Sequence, residues 1–401
     1  MRIVIIGGGQ AAASAAAKLR ALGHDGAITL LMAEPVPPYQ RPPLSKKYLL
    51  GEFARERLYL KPESFYAENG IELAASEPAV SIDPAARRVT TAKRTLPYDA
   101  LLIATGSTPR RLPEAAGGAL PGVHVMRDLA DADALAPLVA AGDRALVIGG
   151  GYIGLEAAAV AASRGLEVTL VEMAPRILNR VACAETADEV RALHRRHGVD
   201  IRENTGLEGL AAGRERRLAA TLSDGTTLDV DFALVGIGVT PGTALAEAAG
   251  LAIENGIRTD ETCRSSDPAI WAAGDCASFP TDRGRLRLES VQNAIDQAEH
   301  AAAAMLGDTA PYRPSPWFWS DQFDAKLQIA GLGTGHDRIV RRPGSKEGAA
   351  SLWYFREGRL IAVDAVNEPR AYMQGKRWIE AGVTPDAEGL SDPERDLKTL
   401  A

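Results

Sequence analysis

Two segments of this chain carry the same phosphate-binding turn, and that repetition limits the possible folds more than any other feature. The first reads RIVIIGGGQAAASAA (2–16) and the second ALVIGGGYIGLEAAA (145–159). Each is an apolar strand that runs into Gly-x-Gly-x-x-Gly/Ala and then an Ala-rich helix. The first glycine (Gly7, Gly149) permits the tight turn, and the second (Gly9, Gly151) lets a pyrophosphate approach the backbone. The third small residue (Ala12, Gly154) packs helix on strand, and the helix N-terminus faces the negative charge. A second strand ending in an acid follows each turn: ITLLMAE (28–34) gives Glu34 and EVTLVE (167–172) gives Glu172. A carboxylate there accepts hydrogen bonds from the ribose hydroxyls of an adenosine. One glycine motif alone says little. Two complete strand–turn–helix–strand–acid units in one chain predict two dinucleotides bound together.

At 401 residues the chain can build two or three domains with cores of their own. No apolar run approaches the ~20 residues that span a bilayer, and no charged-then-apolar leader opens the sequence. The first strand begins at Arg2, which predicts an uncleaved cytoplasmic protein. A formal charge of −7, with basic residues scattered rather than striped, argues against nucleic-acid binding. Cys183, Cys263 and Cys276 lie far apart, none in Cys-x-x-Cys spacing, so no disulfide framework is expected. His194 and His197 form His-x-x-His beside Arg195 and Arg196. With no carboxylate or thiol at ligand spacing they read as a solvated helix end, and no metal site is predicted.

Residues 1–112 read as the first nucleotide unit with an insertion. They give strand 3–6, helix 10–22 and strand 28–33, then a Pro-rich loop at 35–43 with a short helical stretch after it. β-type segments broken at Asp83-Pro84 and Pro97 lead to a buried strand in DALLIATGSTPRRLP (99–113). Residues 113–241 read as a second complete unit, closed by DFALVGIGVTP (231–241). IWAAGDCASF (270–279) and an Ala-rich helix at about 289–306 then return the chain to the first domain, over 242–311. From about 312 the pattern turns to strands at 326–333 and 338–344 and a hairpin at 351–366. An amphipathic helix at about 371–381 follows, and the polar tail 391–401 is expected to be mobile. The predicted class is α/β: two Rossmann-like dinucleotide-binding domains (1–112 with 242–311, and 113–241) and a C-terminal α+β domain (312–401) with an antiparallel sheet.

Two nucleotide sites in one chain most simply serve hydride exchange between a nicotinamide and a flavin, with FAD held in the first and mobile NADH in the second. The motifs YQRPPLSK (39–46), LLIATGSTPR (101–110), GGGYIGLE (149–156) and VGIGVTP (235–241) carry a resemblance. So do IWAAGDCASF (270–279), ESVQNAIDQAEHAA (289–302) and PWFWSDQFDAKLQIAGLG (316–333). On these, over about residues 1–385, the chain resembles the pyridine-nucleotide-dependent flavoprotein reductases. Within them it is similar to the NADH:ferredoxin reductases of bacterial cytochrome P-450 and ring-hydroxylating dioxygenase systems; YQRPPLSK together with PWFWSDQ marks that branch.

The resemblance implies a glutathione-reductase-like fold and a set of contacts, residue by residue. FAD would meet Gly7, Gly9, Gln10, Ala11, Ala12, Glu34, Arg41, Lys46, Ala104, Thr105, Gly106, Gly274, Asp275, Ser290, Val291 and Trp319. NAD would meet Gly149, Gly151, Tyr152, Ile153, Gly154, Glu156, Glu172, Gly236 and Gly238. Asp275 would bind the ribityl chain. The helix beginning near Ser290 would aim its amides at flavin carbonyls that gain negative charge on reduction. Lys46, beside flavin N5, and Glu156, paired with it, are the implied catalytic residues. Disulfide reductases of similar fold carry a redox cysteine pair in the stretch that here holds Arg41, prolines and Lys46, so electrons must leave directly for an external acceptor. Trp319 would lie near the flavin and the docking face. Tyr152 either gates the nicotinamide pocket or simply packs. Glu172 favours NADH, and the nearby Arg176 and Arg180 leave some use of NADPH open.

The implied acceptor is a small acidic [2Fe–2S] ferredoxin that takes one electron per encounter. A chain with a charge of −7 then needs a local basic patch, for which Arg110, Arg111, Arg313, Arg338, Arg341 and Arg342 are candidates. Two alternatives stay open at this stage. One is a reductase for a rubredoxin-like or quinone-like acceptor. The other is a non-turnover NADH-sensing flavoprotein resembling apoptosis-inducing factor.

Overall fold

The Ile3–Ile6 strand is buried along its whole length, as a strand inside a parallel sheet must be. In the computed structural model, which describes residues 1–401, it is the centre of a five-stranded parallel sheet. The order is Ile270–Ala272, Ala100–Ile103, Ile3–Ile6, Ile28–Leu31, Ile71–Ala74. Side-chain alternation splits the strand between two cores. Ile3 and Ile5 face the helices Gln10–Ala21 and Val291–Met305, whose buried alanines (Ala12, Ala15, Ala16, Ala298, Ala301, Ala302) allow close approach. Val4 and Ile6 face Leu101, Ile103 and Cys276 on the other side. The strand predicted at 28–33 stops at Leu31, because Ala33 is exposed and the prolines at 35, 37 and 38 have no donors for further pairing. Pro84 lies in the turn between the first two strands, and Pro97 ends the third, of a small antiparallel sheet of Ala79–Asp83, Arg88–Thr91 and Thr95–Pro97.

Backbone proximity divides the chain into two compact units. The first is Met1–Arg41, Ala54–Thr108 and Val239–Pro314; the second is Pro42–Phe53, Pro109–Gly238 and Ser315–Ala401. The Pro42–Phe53 segment thus belongs with the second unit, although sequence order sets it inside the first.

The second unit contains its own parallel sheet in the order Asp200–Glu203, Glu167–Glu172, Arg144–Ile148, Phe232–Val235, Val123–His124. A meander of Leu207–Ala212, Leu218–Leu222 and Thr227–Val230 shares its core. The unit also holds a five-stranded antiparallel sheet, ordered Trp317–Gln322, Ala325–Gly331, Arg359–Val366, Ala350–Arg356, Arg338–Pro343. Its first strand is the aromatic WFWSDQ run, paired residue for residue from Trp317↔Ala330 to Gln322↔Ala325. The helix Pro369–Ala381 covers this sheet, with Trp378 against Trp353 at 5.6 Å between ring centres. The tail 391–401, expected to be mobile from its polar composition, is packed against this sheet. Leu390 and Leu400 are buried in this core, and the Arg342 guanidinium donates to the carbonyls of Leu390, Asp392, Pro393 and Arg395. No helix is long and apolar enough to cross a membrane.

Within the second unit, the helix Ala184–Arg196 is tied to the antiparallel sheet by buried polar side chains. At its N-terminus Cys183 caps the helix, and Thr186 Oγ1 donates to Asp364 Oδ2 at 2.7 Å. Tyr354 donates its hydroxyl to the same carboxylate and accepts from the Cys183 amide at 3.0 Å. Burial pushes Asp364 from 3.8 up to about 6, opposed by the hydrogen bonds from Tyr354 and Thr186. The folded state therefore holds a proton more tightly than the unfolded chain. That contribution is fully present below pH 3.8 and is lost as pH rises through about 6. Asp364→Asn, which cannot ionise, should escape the loss. Its melting temperature should exceed that of the wild type at neutral pH, by at most about 3 kcal/mol of stability, and the gap should close towards pH 4. A gap independent of pH would show that Asp364 does not titrate in this window.

Candidate active site

Each glycine turn has the shape of an anion cradle. Gly7 and Gly149 adopt φ of +143° and +107°, and a Cβ at either would lie 2.2 Å from the Ala104 carbonyl or 2.4 Å from the Gly236 carbonyl. Those contacts bring Ala104 to the first turn and Gly236 to the second. Gly9 and Gly151 are the N-caps of the helices Gln10–Ala21 and Tyr152–Ser163, and neither helix is capped by a side chain. A Cβ at Gly9 or Gly151 would meet nothing within 4 Å. Uncapped helix amides facing open space fit a pyrophosphate in both turns. Ala12 and Gly154 are buried where helix meets strand, and a Cβ at Gly154 would sit 2.2 Å from the Gly149 carbonyl. Ile153, in the first turn of the second helix, is 43% exposed.

In the first unit the Glu34 carboxylate accepts from Tyr39 Oη at 2.5 Å and pairs with Arg41 at 2.6 Å. It remains one-quarter exposed, and a carboxylate has acceptor sites beyond these two. Gly274 stands against the start of the first helix: a Cβ there would come 3.3 Å from the Ala11 Cβ. The Gly274 amide donates to Gln297 Oε1 at 2.8 Å, and Asp275 Oδ2 accepts from Ser107 Oγ at 2.8 Å. Ser290 caps the helix Val291–Met305 by accepting from the Asn293 amide. Two of the expected flavin contacts spend their side chains locally. Thr105 donates its hydroxyl hydrogen to the Gly242 carbonyl, and Gln10 donates to Ser14. Gly106 carries φ of +67° and accepts from the Gly242 amide.

In the second unit Glu172 accepts from the Gly150 amide through one oxygen and from the Ala174 amide through the other, both at 2.7 Å. This fixes the carboxylate beside the turn where a ribose is expected. Arg176 is not free for a 2′-phosphate, because its guanidinium donates to the carbonyls of Ile177, Asn179, Ala182 and Cys183. Arg180 is exposed. Glu172→Ala should raise the KM for NADH about tenfold, the value of one good charged hydrogen bond, and leave the FAD spectrum intact. Loss of FAD instead would mean that the two nucleotide sites were assigned in reverse. Gly238 accepts from the Arg110 amide at 2.9 Å, closing the strand end.

Lys46 and Glu156, both in the second unit, form an ion pair at 2.6 Å with side chains only 16% and 5% exposed. The sequence does not show what else holds Glu156. Ser45 Oγ donates to Oε2 and Ser320 Oγ donates to Oε1, each at 2.7 Å. The Trp317–Gln322 strand explains the second contact. Its alternation turns Phe318, Ser320 and Gln322 to one face and Trp317, Trp319 and Asp321 to the other. Phe318 packs on Tyr152 at 4.7 Å, whereas Trp319 lies half-buried beside Trp317 at 5.5 Å. Tyr152 thus contacts Phe318, and its buried hydroxyl has no hydrogen-bond partner. His194 is not at a solvated helix end: it is fully buried, donating from Nε2 to Gln322 Oε1 at 2.8 Å, and burial lowers its pKa to about 4. His197 is exposed and stacks on Phe323.

All three cysteines are free and buried, and burial raises each thiol's pKa. Burial and a raised pKa both disfavour the reactive thiolate. Of the candidate docking arginines, Arg342 is consumed by the tail, while Arg341 pairs with Glu189 and Arg313 with Asp282.

The chain belongs to the pyridine nucleotide-disulphide oxidoreductase family, which it matches over residues 1–298, with a reductase C-terminal domain over 317–401. It is 42% identical to rhodocoxin reductase of Rhodococcus erythropolis, covering 99% of this chain and 94% of that protein. It is 41% identical to the 5,5'-dehydrodivanillate O-demethylase ferredoxin reductase subunit of Sphingobium sp. (strain NBRC 103272 / SYK-6), covering 99% and 97%. Putidaredoxin reductase, solved in a covalent complex with putidaredoxin, superposes with a TM-score of 0.95 at 39% identity, covering 100% of this chain and 97% of that one.

Proposed function

We propose that this protein is an NADH-dependent flavoprotein ferredoxin reductase that serves a cytochrome P-450 or ring-hydroxylating oxygenase. Residues 1–112 and 242–311 would form the FAD domain, 113–241 the NAD domain and 312–401 the C-terminal domain. One observation supports the reading above others: two open, uncapped glycine turns stand in a chain whose only thiols are buried and unpaired. Bound FAD supplies the conversion of a hydride's electron pair into single electrons. The chain's own residues do the rest. Gly7, Gly9 and the first helix would take the FAD pyrophosphate, with Glu34 on the ribose and Asp275 on the ribityl hydroxyls. Gly149, Gly151 and Glu172 would orient NADH. Lys46 would set a positive charge where reduction builds a negative one, and Glu156 would keep that ammonium in place. The free, buried thiols fit the reducing cytoplasm, where we place the protein.

The acceptor we propose is a small acidic [2Fe–2S] ferredoxin docking on exposed arginines such as Arg110, Arg111 and Arg338. Stopped-flow mixing of the NADH-reduced protein with a [2Fe–2S] ferredoxin, a rubredoxin and a quinone separates the acceptor classes. Fast ferredoxin reduction whose apparent KM rises with salt supports the proposal. Faster rubredoxin or quinone reduction, or a KM indifferent to salt, contradicts it.

A further inference from the structure

Three buried side chains in the second unit donate one to the next towards the buried Glu156 carboxylate, which Lys46 meets from the other side. His194 Nε2 donates to Gln322 Oε1 at 2.8 Å, and Gln322 Nε2 donates to Ser320 Oγ at 3.0 Å. Ser320 Oγ donates to Glu156 Oε1 at 2.7 Å, and Glu156 Oε2 accepts from Lys46 Nζ. His194, Ser320, Gln322 and Glu156 are all 4% exposed or less. Water therefore cannot replace a lost donor cheaply.

The order of the chain matters. A serine hydroxyl has one hydrogen, and it turns to whichever acceptor is presented. A glutamine amide is pseudo-symmetric and, when flipped, presents an oxygen where it had presented an NH₂. Were Gln322 flipped, Ser320 would face a carbonyl as well as the Glu156 carboxylate, and the charged oxygen would compete for its only donor. His194 Nε2 lies 2.8 Å from Gln322 Oε1, and in its Nε2–H tautomer the neutral imidazole donates there and favours this orientation.

We propose that His194, Gln322 and Ser320 are positioning residues whose buried hydrogen-bond relay locks the Glu156 carboxylate and, through it, the Lys46 ammonium. The inference rests on the proposed role of Lys46 and Glu156 in NADH-driven flavin reduction. None of the three relay residues touches a nucleotide in this account; they act through Glu156. The relay also couples the helix Ala184–Arg196 and the WSDQ strand to the reacting end of the unit, which gives those aromatic-motif residues a task besides packing.

The test uses the full-length, FAD-loaded protein and the variants Ser320→Ala, Ser320→Thr, Gln322→Met and His194→Leu, each also in a Glu156→Gln background. Three quantities are read: the limiting rate constant of flavin bleaching by NADH per bound flavin, the apparent Kd for NADH, and acylation of Lys46 by an amine-reactive reagent, followed by mass spectrometry. Wild-type bleaching must be seen first; its absence would refute the proposed function and not the relay. Ser320→Ala should slow bleaching about tenfold, as expected for one orphaned charged acceptor, and Gln322→Met and His194→Leu, which leave the Ser320 hydroxyl in place, should slow it less, all with Kd unchanged. Lys46 labelling should rise in the same three variants, and Ser320→Thr should behave as wild type. In the Glu156→Gln background the further slowing should vanish. The relay is overturned if Ser320→Ala bleaches and labels as wild type, whatever its melting temperature. It is equally overturned if the slowing persists undiminished without Glu156.

Discussion

Lys46→Met is expected to slow NADH-driven flavin reduction by about 10²–10³-fold, the usual loss when a charge-stabilising donor is removed from a reacting centre. The FAD spectrum should stay intact, because the residues assigned to its adenosine and ribityl chain lie in the other unit. The same substitution strands the Glu156 carboxylate, 5% exposed, with the Ser45 and Ser320 hydroxyls as its remaining donors. Leaving one charge of a buried pair unmatched costs about 3–5 kcal/mol, so the melting temperature should fall as well. Combining Lys46→Met with Glu156→Gln separates the two effects. The double variant should regain stability, since no buried charge is left alone, and should remain slow. Recovery of the rate in the double variant would show that Lys46 merely neutralises Glu156.

Asp275→Ala is expected to weaken FAD retention by about 10–100-fold, the loss of a hydrogen bond to a charged acceptor. Asp275 is well prepared for the part: Gly274 sets its loop against Ala11, and Ser107 holds one carboxylate oxygen. Asp275→Asn keeps an acceptor and should lose less. Flavin content after exhaustive dialysis, measured from absorbance per protein, checks both. Full occupancy in the alanine variant would remove Asp275 from the flavin site.

The parts of the candidate site legible in sequence are those whose chemistry needs neighbouring residues. A strand, three small residues at fixed spacing and an acid at the next strand end must be contiguous to work, so Gly7, Gly9, Glu34, Gly149, Gly151 and Glu172 stand out as candidates without the structure. Lys46 and Glu156 required a resemblance, since 110 residues separate them. Ser45, Ser107 and Ser320 escaped notice because a serine's partner, 111, 168 or 164 residues away, leaves no local trace. His194 departs from the expected solvated helix end, which its exposed neighbours Arg195 and Arg196 do occupy. A signal was present, however. Ala187, Val190 and His194 follow one another at helical spacing, and all three are buried. The tail differs from its polar composition in the same way: among its charges stand Leu397 and Leu400, which pack on the core, while Arg342 and the Arg395–Asp386 pair add polar attachment.

The central claim is that one flavin, with no thiol pair beside it, accepts the hydride of NADH and passes its electrons outward. An anaerobic titration of the purified yellow protein with NADH tests this most directly. The account predicts complete bleaching at one NADH per FAD, with the colour restored on adding oxidised [2Fe–2S] ferredoxin. A protein that is colourless and cannot be reconstituted with FAD would contradict it, and so would one that consumes a second NADH per flavin before bleaching is complete.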